Sequence, residues 1–339
     1  MTIGIPLFHS VDYIVETMES ALAQTFESIE FLVVDDGGND GSYEAVESLR
    51  RQHCRGHQIR LLRNSENRGV GYTRNRIIDE ARGRYLYFLD SDDTIEPSTI
   101  EMLYGAVKQH QAEVAYGSYE IIDRAKLQDV EVYQKDDACL FGDGLLAEYA
   151  LSHVGIFHVS ACNCLMDLSF LRQSGVRFTD ARFWEDMAFT YELVPKVKRA
   201  VLFSHVTYHY LRHPGSLSHY QAREQLDKEE ILANASTLDY LKSKCREHLG
   251  KSYLPYMCYN LELNSFYLVC HIQRLSHHIS PPFTLREMRA IIGHPLRLAD
   301  VLGFHSMLLH NILFWLMGIL PLPVFAISII VLGKAKRAI

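Results

Sequence analysis

The first 95 residues predict an α/β domain with a mostly parallel sheet, because short apolar runs alternate with helical stretches. The predicted strands are Ile3–Phe8, Phe31–Val34, Ile59–Leu62 and Tyr85–Leu89. The predicted helices are Tyr13–Ala23, Ser42–Arg51 and Gly71–Ala81, and Gly83 is expected to end the third. Right-handed crossovers place the carboxyl ends of all four strands at one edge, where open α/β sheets bind ligands.

Tyr13–Ala23 carries Ile14, Met18, Ala21 and Leu22 on one face, which is the spacing of an amphipathic helix. The second strand stops at an Asp-Asp-Gly-Gly turn. The fourth strand is apolar and aromatic enough to be buried on both faces.

Residues 96–220 are less regular, and we expect them to form the second half of the same domain. Pro97–His110 is a predicted helix with proline in its first turn. The predicted extended segments are Glu113–Ile122, Ser160–Met166 and Ala200–Tyr210, and Arg182–Phe189 leads into a helix that ends before Pro195. Residues 221–300 predict a helical extension, and residues 301–339 an apolar tail.

The composition narrows the function classes. Of 339 residues, 48% are hydrophobic and 22% charged, which is typical of an ordered globular protein. The net charge of −7 argues against a nucleic-acid partner. The seven cysteines are scattered without a C-x-x-C pair, which disfavours a zinc ribbon. Their odd number and the lack of a predicted signal peptide favour reduced thiols in the cytoplasm.

The tail contains an uncharged run from Ile312 to Leu332, which is about the length of a membrane-spanning helix. Pro321 and Pro323 interrupt it, however, and basic residues follow at positions 334–337. We therefore expect a peripheral or monotopic segment on the inner, cytoplasmic face of the cell membrane. The alternative is a helix buried in the domain or in a homo-oligomer.

An acidic cluster, Asp90-Ser91-Asp92-Asp93, follows the fourth strand. Two carboxylates that flank one residue can share a hard cation that holds substrate phosphates. Asp35 and Asp36 follow the second strand, so they should reach the same edge of the sheet and could accept hydrogen bonds from a base or a ribose. The structural alternative in both places is an ordinary acidic turn.

Three further segments are candidates for the site. Asn67–Asn75 contains G-x-G-x-x-R, which lacks the third glycine of a dinucleotide fingerprint and therefore disfavours a dehydrogenase. Arg68 and Arg74 in this segment would attract phosphate. Glu185-Asp186 could cap a helix or supply a general base. His213 could bind a metal or diphosphate and Arg212 could pair with phosphate, although a lone histidine is more often structural.

In order along the chain, these segments resemble the family 2 glycosyltransferases. The resemblance covers about residues 1–220, and its motifs are Ile5–Phe8, Ser20–Phe26, Glu30–Gly37, Asn67–Asn75, Ala81–Tyr85, Phe88–Asp93, Glu185-Asp186 and Tyr210–Ser216. The chain departs from the family at His9, Gly38, Thr73 and Leu211, where Asn, Ser, Ala and often Arg are usual. No carboxylate is lost, but the departures put nucleotide selectivity in doubt.

The resemblance implies a GT-A fold, a Rossmann-like mostly parallel sheet flanked by helices, here with a helical C-terminal extension. It also implies an inverting transfer from a nucleotide-diphosphate sugar with Mn²⁺ or Mg²⁺ as cofactor. Asp186 would be the catalytic base, and Asp92, Asp90 and His213 the metal ligands. The donor would be bound by Pro6, Phe8, Asp35, Asp36, Asn67, Gly69, Arg74, Asp90, Ser91 and Arg212.

We expect a hexosyl or N-acetylhexosaminyl group to be transferred from a donor that is most simply a UDP-sugar. The tail favours a lipid-linked glycan acceptor, as in bacterial surface-polysaccharide assembly, and the runner-up acceptor is a peptide or protein side chain. A sugar nucleotidyltransferase is disfavoured because Ile3–Asp12 lacks a glycine-rich basic loop. A non-catalytic nucleotide-sugar-binding protein is disfavoured because Asp90, Asp92 and Asp186 are all present.

Overall fold

The computed structural model describes residues 1–153, 155–157, 159–181, 184–213 and 226–336. The chain divides into two compact units, residues 1–216 and residues 217–339, and each is described by itself. The predicted boundary at residue 95 lies inside the first unit, and the one at residue 300 lies inside the second.

The first unit is built on a ten-stranded sheet. Its strands are β1 (Thr2–Leu7), β2 (Glu30–Asp35), β3 (Ile59–Arg63), β4 (Tyr85–Phe88), β5 (Thr94–Ile95), β6 (Val114–Asp123), β7 (Lys126–Tyr133), β8 (Ala138–Phe141), β9 (Cys164–Asp167) and β10 (Arg199–Arg212). The order is β3-β2-β1-β4-β9-β6-β10-β5, with β7 beside β6 and β8 beside β10. Strands β1 to β4, β6 and β10 run in one direction, so the predicted mostly parallel α/β sheet is confirmed.

Helices accompany the sheet in the first unit. They are α1 (Ile14–Leu22), α2 (Ser42–Gln52), α3 (Val70–Glu80), α4 (Thr99–His110), α5 (Leu145–Ser152), α6 (Leu168–Ser174) and α7 (Glu185–Leu193). The core is formed by fully buried side chains of the central strands, such as Ile3, Phe31 and Tyr87. Because apolar residues fill both faces of β1, β2 and β4, the sequence in these strands has no polar alternation.

Two expectations about helix ends are wrong. α3 ends at Glu80, with Ala81 already extended, so Gly83 does not cap it. Gly83 is instead required by close packing, since a Cβ there would lie 2.5 Å from backbone atoms of Met1 and Thr2. α4 begins at Thr99, and Pro97 precedes the helix because Thr94–Ile95 first forms a short strand against β10.

β10 is a long strand with an irregular register. It pairs in parallel with β6 from Ala200 to Arg212, but the register shifts between Leu202 and Val206 and again between Val206 and Tyr208. These bulges decide which side chains of its carboxyl-terminal half face the end of β4.

The second unit is mainly helical, in line with the expected helical extension. It contains α8 (Lys228–Lys244), α9 (Leu254–Arg274), α10 (Leu285–Ile291), α11 (Leu298–Val301), α12 (Leu308–Ile319) and α13 (Leu322–Ala335), with two short parallel strands, β11 (Leu226–Asp227) and β12 (Ile279–Ser280). A buried ion pair between Lys242 of α8 and Glu262 of α9 measures 2.9 Å.

The uncharged tail forms two helices rather than one, because Pro321 lies between α12 and α13, as the two prolines predicted. Both helices pack against α9 and bury one face each, through residues such as Phe314, Met317, Phe325 and Ile329. Within the described ranges, every helix is too short or too polar to cross a membrane.

Candidate active site

The acidic turn after β4 is attached to β10 through the side chain of Asp93. This side chain is buried, and it accepts hydrogen bonds from the Tyr208 hydroxyl at 2.5 Å and from the Leu211 backbone N–H at 2.8 Å. Burial raises the pKa of Asp93 well above its usual range, and the charges of Asp92 and Asp90 add to the effect. Asp93 therefore fixes the turn to β10 and is not available to a ligand.

Asp92 points toward the end of β10, where its Oδ2 lies 2.9 Å from His213 Nε2. The Asp92 side chain keeps 29% of its surface exposed, while the His213 ring is buried and packs on Tyr13 at 4.1 Å. Burial and the neighbouring Asp90 raise the pKa of Asp92, and the hydrogen bond from His213 opposes them. The structure thus brings together two of the three predicted metal ligands.

Arg74 of α3 is the centre of the site. Its guanidinium is buried and donates to three carboxylates, Asp90 at 2.7 Å and both Glu185 and Asp186 at 2.9 Å. Burial lowers the pKa of Arg74, but Asp186, Asp90 and Glu185 together raise it well above its ordinary value. Arg74 was predicted to contact donor phosphate. Its placement instead favours a role in positioning the two acidic motifs.

Asp186 lies in the first turn of α7, next to Trp184, which adopts a left-handed backbone conformation with φ of 63°. Burial raises the pKa of Asp186 to about 7, with Arg74 opposing the shift and Glu185 and Asp90 adding to it. About 21% of its side chain is still exposed. A carboxylate with this pKa and some access to solvent suits a general base near neutral pH.

The end of β2 contributes Asp35. Its buried carboxylate accepts from the Gly38 N–H at 3.1 Å and pairs with Arg63 at 2.9 Å. The Arg63 contact is to Oδ2, and it is an ion pair without an aligned hydrogen bond. Burial raises the pKa of Asp35, which the Gly38 N–H and Arg63 oppose. Oδ2 can therefore still accept a hydrogen bond from a ligand N–H or hydroxyl beside Arg63.

Asp36 has a structural role in the loop before α3. Its two oxygens accept from the Asn64 amide at 2.6 Å and from the backbone N–H groups of Arg68 and Gly69 at 3.0 and 2.8 Å. Asn67 also accepts from the Gly69 N–H, at 3.0 Å. Asp36, Asn67 and Gly69, all predicted donor-binding residues, therefore shape one loop, and their contact with a donor stays a prediction.

The remaining predicted donor-binding residues occupy different positions. Pro6 is buried in β1, while Phe8 is 40% exposed and stacks on His9 at 4.1 Å. His9 has φ of 49°, a conformation that Asn adopts more readily, which gives a physical reason for the residue usual in the family. The Ser91 hydroxyl shares a 2.7 Å hydrogen bond with Ser10 and so ties the acidic turn to the loop after β1. Arg212 pairs with Glu131 of β7 at 3.8 Å.

Sequence reasoning missed two features of this site. The role of Arg74 as a partner of Glu185 and Asp186 was missed because 111 and 112 positions separate these residues. Ser10 was missed because a lone serine carries no signal. Residues 182, 183 and 214–216, which belong to predicted motifs, lie outside the described residues. Among the described residues, no group of three or more His, Cys, Asp or Glu side chains is arranged to hold a metal.

Comparison with known proteins gives consistent results. The family model described as Glycosyl transferase family 2 matches residues 2–174. GlyG, a glycosyltransferase of Streptococcus pneumoniae, is 33% identical over 125 residues, which are 37% of this chain and 40% of GlyG. The match to GlyA of the same organism spans only 16% of that protein. The succinoglycan biosynthesis protein ExoO of Rhizobium meliloti is 23% identical over 305 residues, 88% of this chain and 86% of ExoO.

Solved structures agree at the level of the fold. S. aureus TarS residues 1–349 in complex with UDP-GlcNAc aligns with a TM-score of 0.66 and 16% identity, covering 94% of this chain and 89% of that one. The same protein in complex with UDP aligns with a TM-score of 0.64.

Proposed function

This chain belongs to glycosyltransferase family 2, and from that premise we propose that it transfers a sugar from a nucleotide-diphosphate donor to a hydroxyl group with inversion at the anomeric carbon. The observation that carries the proposal is the bond of Arg74 to Asp90 on one side and to Glu185 and Asp186 on the other. This contact joins the acidic turn at the end of β4 to the candidate base.

The proposed reaction assigns one proton transfer to this chain. Asp186 accepts the proton of the acceptor hydroxyl as the oxygen attacks the anomeric carbon. The nucleoside diphosphate leaves from the opposite face, so the configuration inverts. Arg74 holds Asp186 and Asp90 at fixed positions, and such positioning of both substrates contributes a large part of the barrier reduction.

We place the donor along the edge formed by the ends of β1, β2 and β4. Asp35 Oδ2, which faces Arg63 but receives no aligned hydrogen bond from it, would accept from the base or ribose. The exposed Phe8 offers a stacking surface beside it. A UDP-sugar is favoured, in keeping with the UDP and UDP-GlcNAc complexes of TarS. The role of ExoO in succinoglycan biosynthesis supports a glycan acceptor in polysaccharide assembly.

The residues present fit a divalent cation of the Mn²⁺ or Mg²⁺ type. Asp92 and His213 already meet at 2.9 Å, and the Asp92 carboxylate is accessible, while phosphate oxygens of the donor would complete the coordination. Asp90 is a less available ligand because Arg74 occupies its Oδ1. When bound, the cation would neutralise charge that builds up on the leaving diphosphate.

A screen of nucleotide sugars tests the function directly. UDP-, GDP- and dTDP-sugars are compared by thermal shift with Mn²⁺ present, and transfer is then assayed with extracted lipid-linked acceptors beside peptides. We expect stabilisation by a UDP-sugar and transfer to the lipid-linked glycan. Transfer to peptides alone would favour the runner-up acceptor, and binding of no nucleotide sugar would refute the proposal.

Removing the proposed cation site should abolish most of the activity. Asp92→Ala is expected to lower kcat/KM by about 100-fold or more, since electrostatic stabilisation of the leaving group is lost. The wild-type enzyme should lose activity in EDTA and regain it with Mn²⁺. Steady-state assays measure both effects, and Asp129→Ala, at an exposed position of β7, is the matched control. Full turnover in EDTA after dialysis would exclude a metal role.

We also propose that the second unit contacts the inner face of the cell membrane through α12 and α13. Each helix exposes an apolar stripe at helical spacing: Leu309, Leu313, Leu316 and Ile319 on α12, and Val324, Ile327 and Val331 on α13. Exposed Lys334 and Lys336 follow at the end of α13 and would attract anionic lipid headgroups. This arrangement is typical of an interfacial helix pair.

Charge placed on the apolar stripes should release the protein from lipid. The double variant Leu309→Glu/Ile327→Glu changes two positions that are 79% and 63% exposed, so the fold should tolerate it. We expect its partition onto phosphatidylglycerol vesicles to fall by about tenfold or more. Cosedimentation measures the effect, with Val132→Glu on exposed β7 as the control. Undiminished cosedimentation of the double variant would rule out this contact surface.

A further inference from the structure

A small cavity lies beside the acidic turn that follows β4. It has a volume of about 30 Å³, and its lining includes Asp90, Tyr116, Lys135, Cys162, Asn163 and Tyr208. This is room for roughly two water-sized groups, so a sugar ring does not fit but one of its substituents does. The reaction proposed above uses Asp90 but assigns no role to Lys135 or to the cavity itself.

Lys135 is a buried cation in this cavity. Its side chain is only 4% exposed, and its ammonium donates to the Gly117 carbonyl at 2.7 Å and lies 5.2 Å from the ring centre of Tyr119. Burial lowers the pKa of Lys135 to about 8, so the group is still largely charged near neutral pH. An ammonium has three protons to donate, and one is used here.

Among the described residues, no carboxylate forms an ion pair with Lys135. Asp90 and Asp93 also line the cavity. Asp90 is paired with Arg74, and Asp93 accepts hydrogen bonds from Tyr208 and Leu211. The Asn163 amide is likewise committed, to the Gly117 and Ser118 carbonyls. Buried charges in proteins are normally paired, and an apolar side chain of similar volume would avoid the cost.

We propose that Lys135 binds the carboxylate of an acidic sugar, such as a uronic acid, whose ring lies beside Asp90 of the acidic turn. The inference rests on the proposed function and deepens it by naming a substrate class. The carboxylate enters the cavity, accepts from the spare Lys135 protons and supplies the missing counter-charge. A charge-assisted hydrogen bond in a site shielded from water discriminates strongly against a sugar that has a neutral group in this position.

The test compares sugars that differ in this one group. Donor binding is measured by calorimetry without acceptor, using UDP-glucuronate against UDP-glucose and UDP-galacturonate against UDP-galactose. A second arm measures transfer from the preferred donor to acidic and neutral acceptor glycans, and so decides which substrate carries the carboxylate. The wild-type protein should prefer the acidic sugar by about tenfold or more in one arm. Lys135→Met should bring that ratio to about one.

The outcomes separate the two proposals. Equal handling of acidic and neutral sugars in both arms would overturn the inference and leave the proposed function intact. An undiminished preference in Lys135→Met would overturn it as well. If no nucleotide sugar binds at all, the proposed function fails and the inference with it. The melting temperature of Lys135→Met shows whether this variant is folded. The preference of the wild-type protein for acidic over neutral sugars tests the inference without any variant.

Discussion

Asp186→Asn is expected to lower the rate of sugar transfer by about 100- to 10,000-fold, the usual contribution of a general base. The amide has nearly the same shape and can still accept the hydrogen bond from Arg74, but it cannot take a proton from the acceptor hydroxyl. Donor affinity should be unchanged, because the substitution alters the acceptor side of the site.

Two measurements together test this assignment. Single-turnover rates report the chemical step, and calorimetry with the nucleotide sugar reports donor binding. Asp129→Asn makes the same chemical change at an exposed position on β7 and should behave like the wild type. Near-normal turnover of Asp186→Asn would rule out Asp186 as the base, and loss of donor binding would indicate a structural role.

The pH dependence of the wild-type rate follows from the same carboxylate. Burial raises the pKa of Asp186 to about 7, and the base must be deprotonated to act. The transfer rate should therefore level off above pH 7 and fall about tenfold for each pH unit below it. The residual transfer rate of Asp186→Asn should not show this decrease below pH 7.

Arg74→Met is expected to destabilise the protein by about 3–5 kcal/mol and to abolish transfer. The change removes one buried cation and leaves Asp90, Glu185 and Asp186 close together without a counter-charge. Chemical denaturation measures the loss. Arg51→Met, at a position 75% exposed and paired only with Glu47, is the control and should change stability by less than about 1 kcal/mol.

The sign of the pH effect separates this explanation from simple loss of packing. Without Arg74, the folded-state pKa values of Glu185 and Asp186, already raised by burial, should rise further above those of the unfolded chain. The folded protein then binds more protons than the unfolded one in that range. The Arg74→Met variant should therefore regain stability as the pH is lowered from 8 toward 5. If the loss of stability in Arg74→Met did not change with pH, the electrostatic explanation would be contradicted.

The sequence predicted the parts of the site that depend on local pattern. The strands β1, β2 and β4 have continuous apolar runs, so their carboxyl ends, and with them Asp35 and Asp90, could be assigned to one edge. The contacts of Arg74 could not be predicted, because two of its three carboxylate partners come from α7, far along the chain. The contacts of Asp36 with Asn64, Arg68 and Gly69 were also not predictable, because they join the end of β2 to a loop 28 to 33 positions later in the chain.

The strands β7 and β8 were also not predicted from the sequence. β7 and β8 lie at the margins of the sheet, and β7 exposes most and β8 half of the residues whose burial is described, so neither gives the apolar run of a buried strand. Lys135, between them, belongs to no motif. Its importance depends on the rings and carbonyls that surround it, and these become neighbours only in the folded protein.

The irregular register of β10 matters for anyone who builds chimeras from related enzymes. Between Leu202 and Tyr208 the strand shifts its pairing with β6, and only after this offset do Tyr208 and His213 reach Asp93 and Asp92. A graft that joins two parents inside this stretch and gains or loses one residue turns every later side chain to the opposite face. Exchange points for segment swapping should therefore lie before Arg199, so that β10 and its bulges are inherited from one parent.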